Sequence, residues 1–320
     1  MIETSSTGFV PTWAGDCSNW ECDELGHLNM SFYFDKFEQA RMGLFIRLGL
    51  VNAFRPSAYS TVRCRDAHIK YLAEARPGQP LRIESAVLGL YETDARIGHI
   101  MYHRDGRIAA TLTETVEHIY LPETKAFAWP SRLTKKLGPS FPKMPGPARP
   151  RNLSIETEIP AIDATSLEGQ SVPSIGGGVF TPRDTMPAGH VALSSIFRRI
   201  TTSLGWYADG WPEFNDADYV KNGGSAVVLE VRVRTHQYVD AGTAYDLRPA
   251  LVAANTHTRL IMHNVLDVVS GASILSGYAA GGLFNLKTRK LTVLTPDQRD
   301  TLEKRAVRAL APPRLRGAKT

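Results

Sequence analysis

Apolar residues between Asn29 and Gly49 recur at spacings of three and four. Phe34, Phe37, Phe45 and Leu48 share one stripe with Arg41, while Asp35, Lys36 and Gln39 fall between them. That period predicts a helix, with Asn29 as its N-cap and Gly49 as its stop. The pattern then shifts to strand-like runs: STVRCRDAHIKYL, PLRIESAVLGLYE, RIGHIMYH and RIAATLTETVEHIYL. The last two flank Arg104-Asp105-Gly106, and Asp-Gly between alternating apolar runs signals a hairpin. One long helix followed by an antiparallel meander predicts an α+β unit whose sheet wraps the helix.

The regularity stops from 122 to about 178, where nine prolines precede Gly176-Gly177-Gly178. Proline at that density cannot continue a central strand or a helix interior. The stretch therefore reads as a connection across the surface, with 154–163 a candidate for one added strand. The earlier order then resumes. LSSIFRRITTSLGW has helical spacing, and AVVLEVRVRTHQYV, AYDLRPALVAA, THTRLIMHNVLDVV, ASILSGYAAGGLFNL and KLTVLTP follow as strand-like runs. Gly26-His27 and Gly189-His190 are 163 positions apart, and Tyr71 and Tyr238 each precede a glycine turn. Element order thus predicts a duplication. The expected boundaries are 1–125, a Pro/Gly-rich linker at 126–175, 176–300, and a basic tail at 301–320.

Composition changes this picture little. A chain of 320 residues with 43% hydrophobic and 22% charged residues fits two globular domains. No apolar run approaches the roughly 20 residues of a membrane span, and the N-terminus shows no secretory pattern. Three cysteines (Cys17, Cys22, Cys64) without a CxxC pair point to reduced thiols and a cytoplasmic location rather than a zinc site. The net charge of +5 favours anionic ligands, coenzyme A phosphates among them. Nucleic acid is disfavoured because no basic stripe is interleaved with aromatics.

The chemistry concentrates in Cys22-Asp23-Glu24-Leu25-Gly26-His27-Leu28-Asn29, just before the first helix. A carboxylate there can act on a substrate beside the free N–H groups of the first turn, and Gly26 permits close backbone approach. With Tyr33, Phe37, Glu38, Ala40 and Arg41 in the following helix, this stretch resembles the hotdog-fold thioesterases typified by 4-hydroxybenzoyl-CoA thioesterase. The resemblance is clear over about 20–50 and fades to a strand pattern over 60–122. It implies two tandem hotdog domains that pair with each other and hydrolysis of an acyl-CoA. Asp23 would then be general base or nucleophile, and the backbone around Gly26 and His27 would bind the oxyanion. His27 is a second catalytic candidate and Asn29 a substrate contact. No metal or cofactor is implied. The acyl-carrier thioesterases of plants are also similar at Asp23 and His27, but Leu25 stands where they have asparagine. In the second half Met186 and Ala192 match Asp23 and Asn29, with Asp184 two residues early, so that half resembles a degenerate site.

Structural alternatives stand beside each assignment. Asp23 and Gly26 suit a turn, His27 a backbone hydrogen bond, Asn29 a cap, and Glu38–Arg41 a helical ion pair. His99 and His103 would lie about 13 Å apart on one strand face, too far to share an ion. No G-x-S-x-G, Walker or G-x-G-x-x-G motif occurs. A hotdog hydratase using His27 or His68, and a non-catalytic acyl-thioester binder, remain alternatives, and association of two such chains is left open.

Overall fold

A computed structural model describes residues 8–138, 140–207, 211 and 216–312. The chain divides into two units, residues 1–149 with 181–198, and residues 150–180 with 199–320.

In the first unit, β1 (Val10–Asp16), β2 (Ser60–Tyr71), β3 (Pro80–Leu90), β4 (Asp94–His103) and β5 (Ile108–Tyr120) form antiparallel pairs in the order β1-β3-β4-β5-β2. A short β6 (Lys125–Ala126) pairs with β5. The long helix α1 (Met30–Arg47) contacts β1 and β3. It buries Tyr33, Phe34, Phe37, Ala40, Leu44 and Phe45, together with Lys36, Glu38 and Arg41. A Cβ on Gly43 would stand 2.7 Å from the Thr12 carbonyl oxygen, so the glycine allows α1 to lie hard against β1. Leu44, Phe45, Val62, Val87, Ile97 and Val116 form one core cluster.

The second unit repeats this order. β7 (Gly176–Val179), β8 (Gly224–Thr235), β9 (Ala244–Leu247), β11 (Arg259–Asp267) and β12 (Ser273–Asn285) are paired as β7-β9-β11-β12-β8. β10 (Ala250–Ala254) pairs with β11 and β13 (Lys290–Leu291) with β12. The helices are α2 (Ser131–Leu137) after the first meander, α3 (Leu193–Ser203), α4 (Ala217–Lys221) and α5 (Pro296–Arg305) after the second. Their starts keep register: the offset is 164 from β2 to β8 and 165 from β5 to β12 and from α2 to α5. Of the expected tail, residues 301–305 lie in α5, and 313–320 fall outside the described residues.

The proline-rich connection differs from a loose surface strap. Trp129 and Leu133 enter the first unit's core, and Leu153, Ile159, Ile162, Leu167 and Val172 enter the second's. The 154–163 stretch is not a strand. Its carbonyls are taken by side chains instead: Arg232 Nη1 donates to Ser154 and Thr157, Ser276 Oγ to Pro160, and Asn264 Nδ2 to Ile162. Buried carbonyls need partners, and these donors remove the need for a ladder.

Candidate active site

The loop before α1 is held from three sides. Glu21 ends a short turn whose start is Ser18, accepting the Ser18 N–H at 2.8 Å. Its carboxylate also receives both contacts of Lys36 Nζ, at 2.7 and 2.8 Å, which ties the turn to the helix. Cys22 and Leu28 form an antiparallel bridge, and the Leu28 N–H donates to Ala75 O at 2.8 Å. Between the bridge partners the chain reverses at Gly26, where φ is +72° and a Cβ would meet nothing within 4 Å. That conformation favours glycine, and the open space leaves room for a ligand.

Asp23 is half-buried. Its Oδ1 accepts the N–H groups of Leu25 and His27, each at 3.0 Å, while Oδ2 receives no donor from the described residues. His27 is buried, and its Nε2 lies 3.2 Å from Glu74 Oε2, a partner that no sequence pattern marked. Tyr33, with its ring edge-on to Tyr71 at 5.1 Å, packs beneath this loop, and burial pushes its phenol up. Asn29 caps α1, its Oδ1 accepting the Ser31 N–H at 3.0 Å and the Ser31 hydroxyl at 2.9 Å.

The backbone amides here are almost all committed. Gly26 N–H donates to Asp23 O, His27 N–H to Asp23 Oδ1, Asn29 N–H to Glu21 O, and Phe32 N–H to Asn29 O. In the run from Gly26 to Phe32, Met30 alone donates to no acceptor among the described residues. It is the first residue of α1 and half-buried, so its N–H stands at the positive end of the helix dipole. The amides of Gly26 and His27, the sequence-level candidates for the oxyanion, hold the loop together.

Behind the loop, a polar chain crosses β1, β3, β4 and β5 and ends on Arg41 of α1. Thr12 Oγ1 meets Ser85 Oγ at 2.6 Å, and Ser85 Oγ meets His99 Nδ1 at 2.6 Å. His99 Nε2 lies 3.3 Å from Glu114 Oε2, and Arg41 Nη1 donates to Glu114 Oε1 at 2.5 Å. Burial raises the Glu114 carboxyl, but Arg41 and His99 outweigh it and hold it below the usual range. His99 is thus a core hydrogen-bonding residue. The expected Glu38–Arg41 pair exists only at 4.0 Å. Glu38 is committed elsewhere. Its Oε1 accepts the N–H groups of Leu193 at 2.8 Å and Ser194 at 3.3 Å, and its Oε2 the Ser194 hydroxyl at 2.6 Å. Burial raises Glu38 to about 7, against the opposing pull of Arg41 and Ser194.

The loop before α3, within the same unit, copies the first. Thr185 and Val191 form its bridge, Met186 N–H donates to His190 O, and Gly189 has φ +95°. Asp184 takes the place of Glu21 rather than Asp23, accepting from Thr181 N–H and Oγ1 and from Arg198 Nη2, each at 2.8 Å. His190 is lowered to about 3 by burial and by the nearby Arg63 and Arg41, so it is neutral at physiological pH. Among the described residues no group of three or more His, Cys, Asp or Glu could hold a metal ion, and no helix is long and apolar enough to cross a membrane.

Residues 17–137 match the model of the thioesterase-like superfamily. Over 115 residues the chain is 28% identical to the L-carnitine dehydrogenase/betainyl-CoA thioesterase of Agrobacterium fabrum (strain C58). That alignment covers 36% of this chain and spans only 24% of the relative's length. A protein assigned as an oleoyl thioesterase from Lactobacillus plantarum is similar in structure, with TM-score 0.64 at 14% identity, over 87% of this chain and 98% of its own. An acyl-ACP thioesterase from Bacteroides thetaiotaomicron VPI-5482 gives TM-score 0.59 at 11% identity, over 84% and 96%. These likenesses show the α+β hotdog fold that the resemblance implied, and the helix and meander predicted its α+β class.

Proposed function

We propose that this chain is a thioester hydrolase of tandem hotdog architecture that cleaves an acyl-CoA at the loop before α1. The reading is carried by Asp23, whose Oδ2 receives no donor from the described residues, together with the Met30 N–H on a helix start, which meets no acceptor among them. The superfamily match over 17–137 supports it, as do the thioesterase names of the relatives.

In this reading the thioester carbonyl oxygen faces the Met30 amide, where the helix dipole stabilises the developing negative charge. Asp23 Oδ2 takes a proton from a water that attacks the carbonyl carbon, or attacks it directly to form a mixed anhydride that a water then hydrolyses, regenerating the Asp23 carboxylate. The two N–H bonds on Oδ1 fix the carboxylate without occupying Oδ2. Collapse of the tetrahedral intermediate expels the coenzyme A thiolate, which takes up the proton, and leaves the free acid. His27, buried beside Glu74, shapes the loop that presents Asp23. Gly26 keeps the loop's outer edge open, and Asn29 fixes the start of α1.

The test is thiol release from a panel of acyl-CoAs varied in chain length and polarity. Clear release with a preferred acyl group supports hydrolysis. Loss of enoyl absorbance without thiol would instead mark a hydratase, and saturable binding without either change would mark a binder.

A further inference from the structure

We propose that Cys17 and Cys22 form a peroxide-responsive dithiol site at the foot of the loop that carries Asp23. Their sulfurs lie 3.5 Å apart, at van der Waals contact, and both are free thiols. The turn between them is already closed: Glu21 N–H donates to Ser18 O at 3.1 Å and Cys22 N–H to Asn19 O at 3.2 Å. Cys17 is pinned from the other side, its N–H donating to Gln79 O and its carbonyl accepting from Gly78 N–H. A disulfide sets its sulfurs about 2.05 Å apart, so closing this one asks for about 1.5 Å of approach between two side chains on a preformed turn.

The two thiols are unequal. Cys17 is fully buried, and burial together with the neighbouring Cys22 pushes its thiol up to about 12. Cys22 is half-buried and is the one a small oxidant reaches. Its thiolate attacks an oxygen of hydrogen peroxide, the O–O bond breaks, and hydroxide leaves and is protonated to water, which makes Cys22 a sulfenic acid. The Cys17 sulfur then attacks the Cys22 sulfur. The S–S bond forms as the S–O bond breaks, and the hydroxyl departs as water with the Cys17 proton. Two thiols and one peroxide thus give one disulfide and two waters. The raised Cys17 thiol slows this second step, but contact at 3.5 Å offsets it, since oriented groups reach effective molarities of about 10⁵ M or more. Cys64 is buried, and its sulfur meets the Asp66 carbonyl oxygen at 3.5 Å rather than another thiol, so it stays reduced.

Resolution by Cys17 matters because of what flanks Cys22. Oxidised past the sulfenic acid, Cys22 would carry an ionised sulfinate between Glu21 and Asp23. Repulsion among like charges there would spread the loop that presents Asp23. The disulfide keeps Cys22 neutral and is undone by reductant, so Cys17 guards the loop. Its bearing on activity rests on the hydrolase reading, while the disulfide itself does not.

The experiment treats reduced wild type, Cys17→Ser, Cys17→Ala and Cys22→Ser with hydrogen peroxide. Mass spectrometry then reads the tryptic peptide 1–36, which holds both cysteines, with fragment ions assigning each change to its residue. Wild type should lose two hydrogens in that peptide, keep Cys64 as its one alkylatable thiol, and regain the other two with dithiothreitol. Without Cys17, dimedone should trap Cys22 as the sulfenic acid, and longer exposure should add two oxygens that dithiothreitol does not remove. Cys22→Ser should leave Cys17 alkylatable. Thiol release from acyl-CoA, measured after the reductant is removed, should recover in wild type and stay lost in Cys17→Ser. Wild type that keeps all its thiols alkylatable, or gains oxygens on Cys22, overturns the inference, and that result decides even if the Cys17 variants fail to fold. Wild type that cleaves no acyl-CoA would sink the hydrolase reading alone, because the peptide masses still decide the disulfide.

Discussion

Replacing Met30 with proline removes the proposed oxyanion donor while asking little else of the fold. Met30 is the first residue of α1, a position where proline is common because its fixed φ suits a helix start. The N–H it would delete has no acceptor among the described residues, so no internal hydrogen bond is lost. Proline also restricts the residue before it to extended conformations, and Asn29 already has φ −63° and ψ 145°. The helix should therefore form, and Tm should fall by no more than a few degrees. Loss of one oxyanion donor costs about 10²–10³ in rate, or about 3–4 kcal/mol of transition-state stabilisation. Met30→Leu controls for the side chain and should stay within a fewfold of wild type. The assay is steady-state thiol release with the preferred acyl-CoA, beside circular dichroism of each variant. A folded Met30→Pro variant with wild-type kcat would refute the assignment of this amide.

Other residues carry their own expectations. Glu38 titrates near 7 in the fold against a usual value of 4.5. Its neutral form is the favoured one, so its contribution is full below about pH 4.5 and is lost as pH rises through 7. The loss is about 3 kcal/mol. Urea midpoints across this range should consequently fall more steeply for wild type than for Glu38→Gln, and parallel slopes would contradict the buried titration. Glu114→Ala leaves Arg41 buried without its partner and should cost about 3–5 kcal/mol by urea unfolding. A loss below 1 kcal/mol would mean that the pair is not tightly held. Glu74→Gln leaves Asp23 in place but removes the carboxylate charge 3.2 Å from His27 Nε2. It should lower kcat/KM for thiol release and leave Tm nearly unchanged, so an unaltered kcat/KM would remove Glu74 from the site.

Much of this was readable from the chain because its signals are local. The period of three and four between Phe34 and Leu48 became α1 with Asn29 as cap, and the alternating runs became β2 to β5. The Gly26 and Gly189 pairs marked two loops with the same hydrogen bonding, since a reversal with positive φ imposes glycine in both. Harder to see was β1, whose Val10–Asp16 segment is mostly exposed and lacks alternation. The proline-rich connection hid its core role because isolated residues such as Leu153 and Ile162 insert singly, without a period. Glu74 and Glu38 were missed as partners for another reason. Glu74 lies 47 positions from His27, and Glu38 is 155 from Leu193, so only the folded chain brings them together. The unused amide of Met30 follows from a tally of backbone donors that no side-chain pattern records.

The decisive measurement is kcat/KM for thiol release by Asp23→Asn beside wild type. Asparagine keeps an oxygen to accept the Leu25 and His27 amides, so the loop should hold its shape while the charged, proton-accepting oxygen is gone. A folded variant should lose about 10²–10⁴ of the wild-type value. Undiminished hydrolysis by that variant would place the catalytic carboxylate somewhere other than Asp23.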